Sequence, residues 1–129
     1  MCYKRLLLID DDETDQRIFS IVLQSIAPDL TCTVKEDAAH ALYQLETEEL
    51  SADLIFLDVR MPGMTGVEFL QELRKQENLK QTPVVVLSGV PNPDDMRQTK
   101  ELGAIDYIIK PGKYSELKQI LVSILQPSS

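Results

Sequence analysis

Five short apolar runs, each followed by a segment with helical spacing, constrain this chain more than any other feature. Tyr3-Lys4-Arg5-Leu6-Leu7-Leu8-Ile9, Leu30-Thr31-Cys32-Thr33-Val34, Leu54-Ile55-Phe56-Leu57, Pro83-Val84-Val85-Val86-Leu87 and Tyr107-Ile108-Ile109 read as strands. Several are apolar at consecutive positions, the pattern of strands covered on both faces. Helices fill the intervals. Residues 14–26 place Ile18, Ile21, Val22 and Ile26 on one predicted face, with Phe19 and Leu23 beside it. Asp37 caps a helix bearing Ala38, Ala41, Leu42 and Leu45, and residues 67–76 turn Val67, Leu70 and Leu73 inward. Asn92-Pro93-Asp94-Asp95 starts a helix that Gly103 stops. The last helix carries Leu117, Ile120, Leu121, Ile124 and Leu125 as a stripe, and Pro127 ends it. Alternation of this kind with short connections predicts an α/β fold, a parallel sheet with helices on both faces.

At 129 residues, 43% hydrophobic and 26% charged, the chain suits one domain that needs no disulfide or metal to hold its core. Cys2 and Cys32 have no metal-binding or redox spacing and are expected as reduced thiols of a cytoplasmic protein. No signal peptide or membrane-length apolar run is present. The net charge of −8 argues against direct nucleic-acid binding and is compatible with a divalent cation or a basic partner surface.

Strands joined by right-handed crossovers run the same way, so their C-terminal ends share one edge, where open parallel sheets bind ligands. Here those ends carry Asp10 and Asp11, Asp58, Ser88 and Lys110. Asp58 alone, ahead of Met61-Pro62-Gly63-Met64-Thr65-Gly66, reads equally as a turn cap or a site residue. Its company favours a site. Two carboxylates about 4 Å apart at an effective dielectric near 20 repel by roughly 4 kcal/mol. Raised pKa values or a bound cation must offset that. Carboxylates, water and phosphate together are how proteins hold Mg²⁺. Lys110 and Ser88 could steady the oxygens of a phosphoryl group, and a rim carboxylate could accept it as an aspartyl phosphate.

In this order the motifs resemble those of response-regulator receiver domains of two-component signalling, over essentially the full length. An acid pair follows the first strand, Asp58-x-x-Met61-Pro62-Gly63-Met64-x-Gly66 the third, Ser88-Gly89 the fourth, and Lys110-Pro111 the fifth. The resemblance implies a flavodoxin-like (βα)5 three-layer sandwich with strand order 2-1-3-4-5. It also implies a single receiver domain over residues 1–129 with no effector domain, like the stand-alone chemotaxis-type regulators. Asp58 would be the phosphoacceptor. Asp11 would ligate Mg²⁺ directly, Asp10 chiefly through water, and the Arg60 carbonyl would complete the protein ligands. Ser88 and Lys110 would contact the phosphoryl group, and Gly89 would keep its approach open. Tyr107 would turn inward as Ser88 moves. A cis Lys110–Pro111 bond is implied as well. The phosphoryl group would come from a sensor histidine kinase or histidine phosphotransfer protein, and a downstream protein effector would read the switched state through the fourth helix, fifth strand and fifth helix. Neither nucleic acid nor membrane would be a direct partner. Such a chain catalyses only its own phosphorylation and dephosphorylation.

Thr65 stands where the family often has an acid, Gly112 where it often has an aromatic, and Arg60 and Val90 where it tunes phosphoryl lifetime. The run Asp10-Asp11-Asp12-Glu13 leaves the acid pairing ambiguous, and Asp10 and Asp11 are preferred because they directly follow Ile9. Asp10-Asp11-Asp12-Glu13-Thr14 is also similar to the nucleophile motif of haloacid-dehalogenase-like phosphatases, with Asp10 as nucleophile. That fold needs a further acid pair after the lysine, where only Glu116 is acidic. A pseudo-receiver that binds partners without phosphate is the third reading. His40 is expected on the surface, Met61 and Met64 in loop packing, and Asp12 and Glu13 as solvated helix-start acids.

Overall fold

The computed structural model describes residues 3–125, so Cys2 and Pro127 lie outside the described residues. Five parallel strands, β1 (Arg5–Ile9), β2 (Thr31–Lys35), β3 (Leu54–Asp58), β4 (Val84–Ser88) and β5 (Asp106–Ile109), form one sheet in the order β2-β1-β3-β4-β5. The helices α1 (Glu13–Ile26), α2 (Ala38–Glu46), α3 (Gly66–Lys75), α4 (Pro93–Glu101) and α5 (Tyr114–Leu125) alternate with them. This is the flavodoxin-like order that the motifs imply. β1, β3 and β4 hold the fully buried runs, while β2 and β5 are the partly exposed edges. None of the helices among the described residues is long and apolar enough to cross a membrane.

Side chains of a strand alternate between faces, and this pleat sorts the core in two. Leu7, Ile9, Ile55, Leu57, Val84 and Val86 pack with Ala41, Leu45, Phe69, Leu70 and Leu73 of α2 and α3. Leu6, Leu8, Leu54, Phe56, Val85, Leu87 and Ile108 pack with Phe19, Val22 and Leu23 of α1 and with Leu117, Leu121 and Leu125 of α5. Counting on by the same parity, Asp10, Asp58 and Lys110 continue the α1/α5 face. Ser88 and Tyr107 continue the opposite one.

Two packing details depart from the spacing argument, and one peptide bond departs from the resemblance. Ile21 is 49% exposed, and Phe19, Val22 and Leu23 form the buried stripe of α1. Phe19 takes the centre because its ring meets the edge of Phe56, with centroids 5.0 Å apart at 65°, a geometry aromatic pairs favour. In α3 Phe69 is buried with Leu70 and Leu73, whereas Val67 is only half-buried. The Lys110–Pro111 peptide is trans, like every described peptide bond, which corrects the cis expectation. Trans is the intrinsically favoured isomer of an X-Pro bond by roughly 0.5–1 kcal/mol, and nothing in the local sequence opposes it.

Candidate phosphoacceptor site at the sheet edge

The site is assembled where β1, β3 and β5 end. Asp10 leaves β1 with its own N–H donating to the Lys35 carbonyl at 3.0 Å, so the strand ladder places it. Asp58 is the last residue of β3, and Val59 continues the pairing by donating to the Leu87 carbonyl at 3.1 Å. Lys110 follows β5 and donates from its backbone to the Ser88 carbonyl at 2.7 Å. Its side chain runs inward along the α1/α5 face. The ammonium donates to Asp58 Oδ2 at 3.0 Å, to Asp10 Oδ2 at 3.1 Å and to Asp15 Oδ2 at 2.7 Å. The other carboxylate oxygens are held by backbone amides, Asp12 N–H on Asp10 Oδ1 at 2.9 Å and Arg60 N–H on Asp58 Oδ1 at 3.0 Å.

Asp10 and Asp58 are 1% and 5% exposed, so their charges meet in a poorly hydrated place. Burial pushes the Asp10 carboxyl up to about 6, against the lowering pull of the Asp12 amide and the Lys110 charge. For Lys110, burial works to lower the pKa. The hydrogen bonds to Asp15 and Asp58 and the charges of Asp10 and Asp58 outweigh it, holding the ammonium above the ordinary lysine range. Asp10, exposed Asp11 and Asp58 each offer an oxygen, and these atoms lie within 4.8 Å of one another. An all-oxygen donor set on carboxylates fits a hard cation such as Mg²⁺ or Mn²⁺.

Ser88 stands apart from this cluster. Its hydroxyl donates to the Val90 carbonyl at 2.7 Å, on the side that its pleat phase dictates. The Tyr107 hydroxyl approaches the same carbonyl at 3.5 Å. The side chain of Arg60 leaves the pocket and pairs with Asp95 of α4 at 2.9 Å. Gly89 is exposed, and a Cβ there would meet nothing within 4 Å, so packing alone does not demand its glycine. His40 is exposed, Met61 is buried in the core and Met64 is packed against it, as expected. Burial of Cys32 raises its thiol to about 11, which leaves it unreactive at neutral pH.

Two residues take clearer roles than the sequence showed. Asp15 completes the ring around Lys110. Its signal was its place four residues before Phe19, an acid at the rim end of the buried stripe of α1. Thr65 is the N-cap of α3 in a reciprocal capping box with Glu68, which explains a hydroxyl there in place of an acid.

The loop after Asp58 is tightly specified. Gly63 has φ +81°, a conformation that side chains rarely adopt. A Cβ on Gly66 would sit 2.6 Å from Val59 Cα and 3.0 Å from the Asp58 carbonyl oxygen, both backbone atoms. Gly66→Ala is therefore expected to lose roughly 1–3 kcal/mol in urea unfolding, as overpacked sites do. A midpoint equal to wild type would show that the loop yields freely.

A family model for the response regulator receiver domain matches residues 6–122. The two-component response regulator ORR8 of Oryza sativa subsp. indica is 33% identical over 121 residues, which cover 94% of this chain and 98% of ORR8. The Mn(2+)-bound form of response regulator Rcp1 superposes with a TM-score of 0.88 at 28% identity, covering 98% of this chain and 97% of Rcp1. The phosphorylated cyanobacterial phytochrome response regulator RcpA superposes with a TM-score of 0.87 at 28% identity, covering 99% of this chain and 97% of RcpA. On the strength of the whole-length match and of the acids, hydroxyl and lysine at the sheet edge, this chain belongs to the response regulator receiver domain family.

Proposed function

We propose that Asp58 accepts a phosphoryl group from a phosphohistidine of a sensor kinase or histidine phosphotransfer protein and that the modified chain signals to a protein effector. The observation that carries this reading is the Lys110 ammonium held on Asp58 Oδ2 at 3.0 Å, beside two further acids whose oxygens lie within 4.8 Å. In the transfer a carboxylate oxygen of Asp58 attacks phosphorus. The P–N bond of the donor breaks and its electron pair stays on the imidazole nitrogen. With a proton taken up by the released imidazole, the products are an acyl phosphate on Asp58 and a neutral histidine. Lys110 is placed to pair with a phosphoryl oxygen, and phosphoryl transfer gains chiefly from such positioning and charge stabilisation. Asp10, Asp11 and Asp58, with the Arg60 carbonyl, would hold Mg²⁺. Bound there, the ion would offset the charge of the acids and of the incoming oxygens.

Ser88 supplies the switch. To reach a phosphoryl oxygen its hydroxyl must leave the Val90 carbonyl, which Tyr107 already approaches. Tyr107 can then take that acceptor, so the charge on Asp58 is read out as a change at the β5 edge. A partner that binds the changed state better shifts the balance, typically by about 1–3 kcal/mol.

The phosphatase reading fits the geometry less well. Its second acid would be Asp12, whose carboxylate instead caps α1 by accepting from Asp15 N–H at 2.9 Å. The test is labelling with acetyl phosphate and Mg²⁺ followed by peptide mapping. Label is expected on Asp58, and excess EDTA is expected to reduce the labelling rate to background. Label on Asp10 would favour the phosphatase. Neither label nor beryllofluoride binding would favour a non-phosphorylated binding module.

A further inference from the structure

An ammonium has three hydrogens to donate, and all three of Lys110's point at carboxylates, those of Asp15, Asp58 and Asp10. Any further oxygen that pairs with Lys110 must therefore displace one of them. The three acids are not equally held. Asp10 and Asp58 are each fixed by a backbone amide, and their side chains are 2% and 7% exposed. The Asp15 carboxylate is 38% exposed and has no other hydrogen-bond donor among the described residues. Water can replace Lys110 on Asp15 at little cost, whereas Asp10 has no such substitute. Asp15 is the acceptor that leaves most easily, although its contact is the shortest.

Local helix geometry explains why Asp15 is there. It is the third residue of α1 after the N-cap Asp12. In a capping box an acid at that position accepts from the N-cap N–H. Here the Asp12 N–H is already engaged by Asp10 Oδ1. An aspartate is also one methylene shorter than the usual glutamate, and its side chain crosses to Lys110 instead.

We propose that Asp15 is a positioning residue that holds, in the unphosphorylated chain, the place on the Lys110 ammonium that a phosphoryl oxygen on Asp58 takes, and that it thereby slows phosphorylation. The proposal rests on Asp58 being the acceptor. Each transfer must first, or concurrently, free Lys110 from Asp15, and a competent state that is only partly populated lowers the apparent rate in proportion. Phosphorylation in turn releases the Asp15 carboxylate to solvent at the start of α1.

The test compares phosphorylation of wild type, Asp15→Asn and Asp12→Asn by acetyl phosphate at saturating Mg²⁺, over a range of donor concentration. Asp12→Asn removes an equal charge from the same helix end and keeps a residue that caps well. Asp15→Asn is expected to raise the limiting rate constant roughly three- to fivefold, the upper scale of a partly exposed charge pair. The donor concentration at half-saturation and the rate of Asp12→Asn should both stay within about twofold of wild type. An unchanged or slower Asp15→Asn would overturn the proposal. So would an equal gain in Asp12→Asn, because bulk charge would then be the cause. Mapping of the wild-type label separates the two levels. Label on Asp58 with an unaltered Asp15→Asn rate overturns this inference alone, while label elsewhere, or none, overturns the reading of Asp58 and this inference with it.

Discussion

Asp58→Asn protein is expected to take no phosphoryl label from acetyl phosphate and Mg²⁺ under conditions that label wild type, while keeping its fold. The amide oxygen of asparagine can still accept from Arg60 N–H, so the backbone contact that places residue 58 survives, while the amide nitrogen in the place of Oδ2 cannot accept from Lys110. What is lost is the nucleophile, since a neutral amide does not form an acyl phosphate. Stability should not suffer. The substitution removes one negative charge from a group of carboxylates whose oxygens lie within 4.8 Å, relieving repulsion of roughly 4 kcal/mol per close pair before compensation. Part of that gain is given back as the lost bond to Lys110, and a net rise on the order of 1 kcal/mol in metal-free buffer is expected. Phosphate-affinity electrophoresis and urea melts read the two effects on the same protein. Retained labelling would move the acceptor to Asp11 or Asp10. Lost labelling with a collapsed fold would mean that Asp58 is a structural acid.

The clustering of these residues was legible in the sequence because strand ends are where a parallel sheet brings polar groups together. Asp10, Asp58 and Lys110 each end or follow an apolar run, and the sheet order brings the two carboxylates onto the one ammonium. Their pleat phase was legible too. Ser88 has the parity of Val84 and Val86, which explains why its hydroxyl lies with Val90 rather than with Lys110. Asp15 was harder to see because an acid in a first helical turn has a sufficient reason to be there in the helix dipole. Only the buried stripe it extends sets it apart. Ile21 went the other way, since an apolar residue at tolerable helical phase lost its place to the larger Phe19, whose partner Phe56 lies on another element. The trans Lys110–Pro111 bond follows the intrinsic preference of the peptide, which no local pattern overrides. Contacts between elements decided the cases of Asp15 and Ile21, and spacing within one element does not encode them.

Lys110→Ala is expected to destabilise the protein by about 3 kcal/mol at pH 8 in metal-free buffer, and by much less at pH 5. The lysine compensates Asp10 and Asp58, which are too deeply placed to be rescued by water. Removing the ammonium that touches both leaves buried charge unpaired, the costly half of any buried ion pair. Protonation offers an escape, and Asp10 is the acid nearest to it, with its folded pKa already at about 6. A carboxyl whose folded pKa exceeds its unfolded value costs stability when ionised. That cost is absent below the unfolded pKa near 4, grows as pH rises through the folded value, and is complete above it. Loss of Lys110 drives the Asp10 pKa further up, so the penalty grows over a window that starts near pH 6 and extends upward. At pH 5 Asp10 is largely neutral in both proteins, so its share of the difference is small. Lys110 contributes no slope of its own here, because its raised pKa keeps it charged throughout. Mg²⁺ should restore much of the loss at pH 8 by binding only the folded chain, with a gain that grows logarithmically with its concentration. Urea melts at pH 5 and pH 8, with and without Mg²⁺, provide the four values needed. An equal loss at both pH values would mean that the lysine stem packs and the ammonium compensates nothing. Failure of Mg²⁺ to recover stability at pH 8 would remove Asp10, Asp11 and Asp58 as its holders.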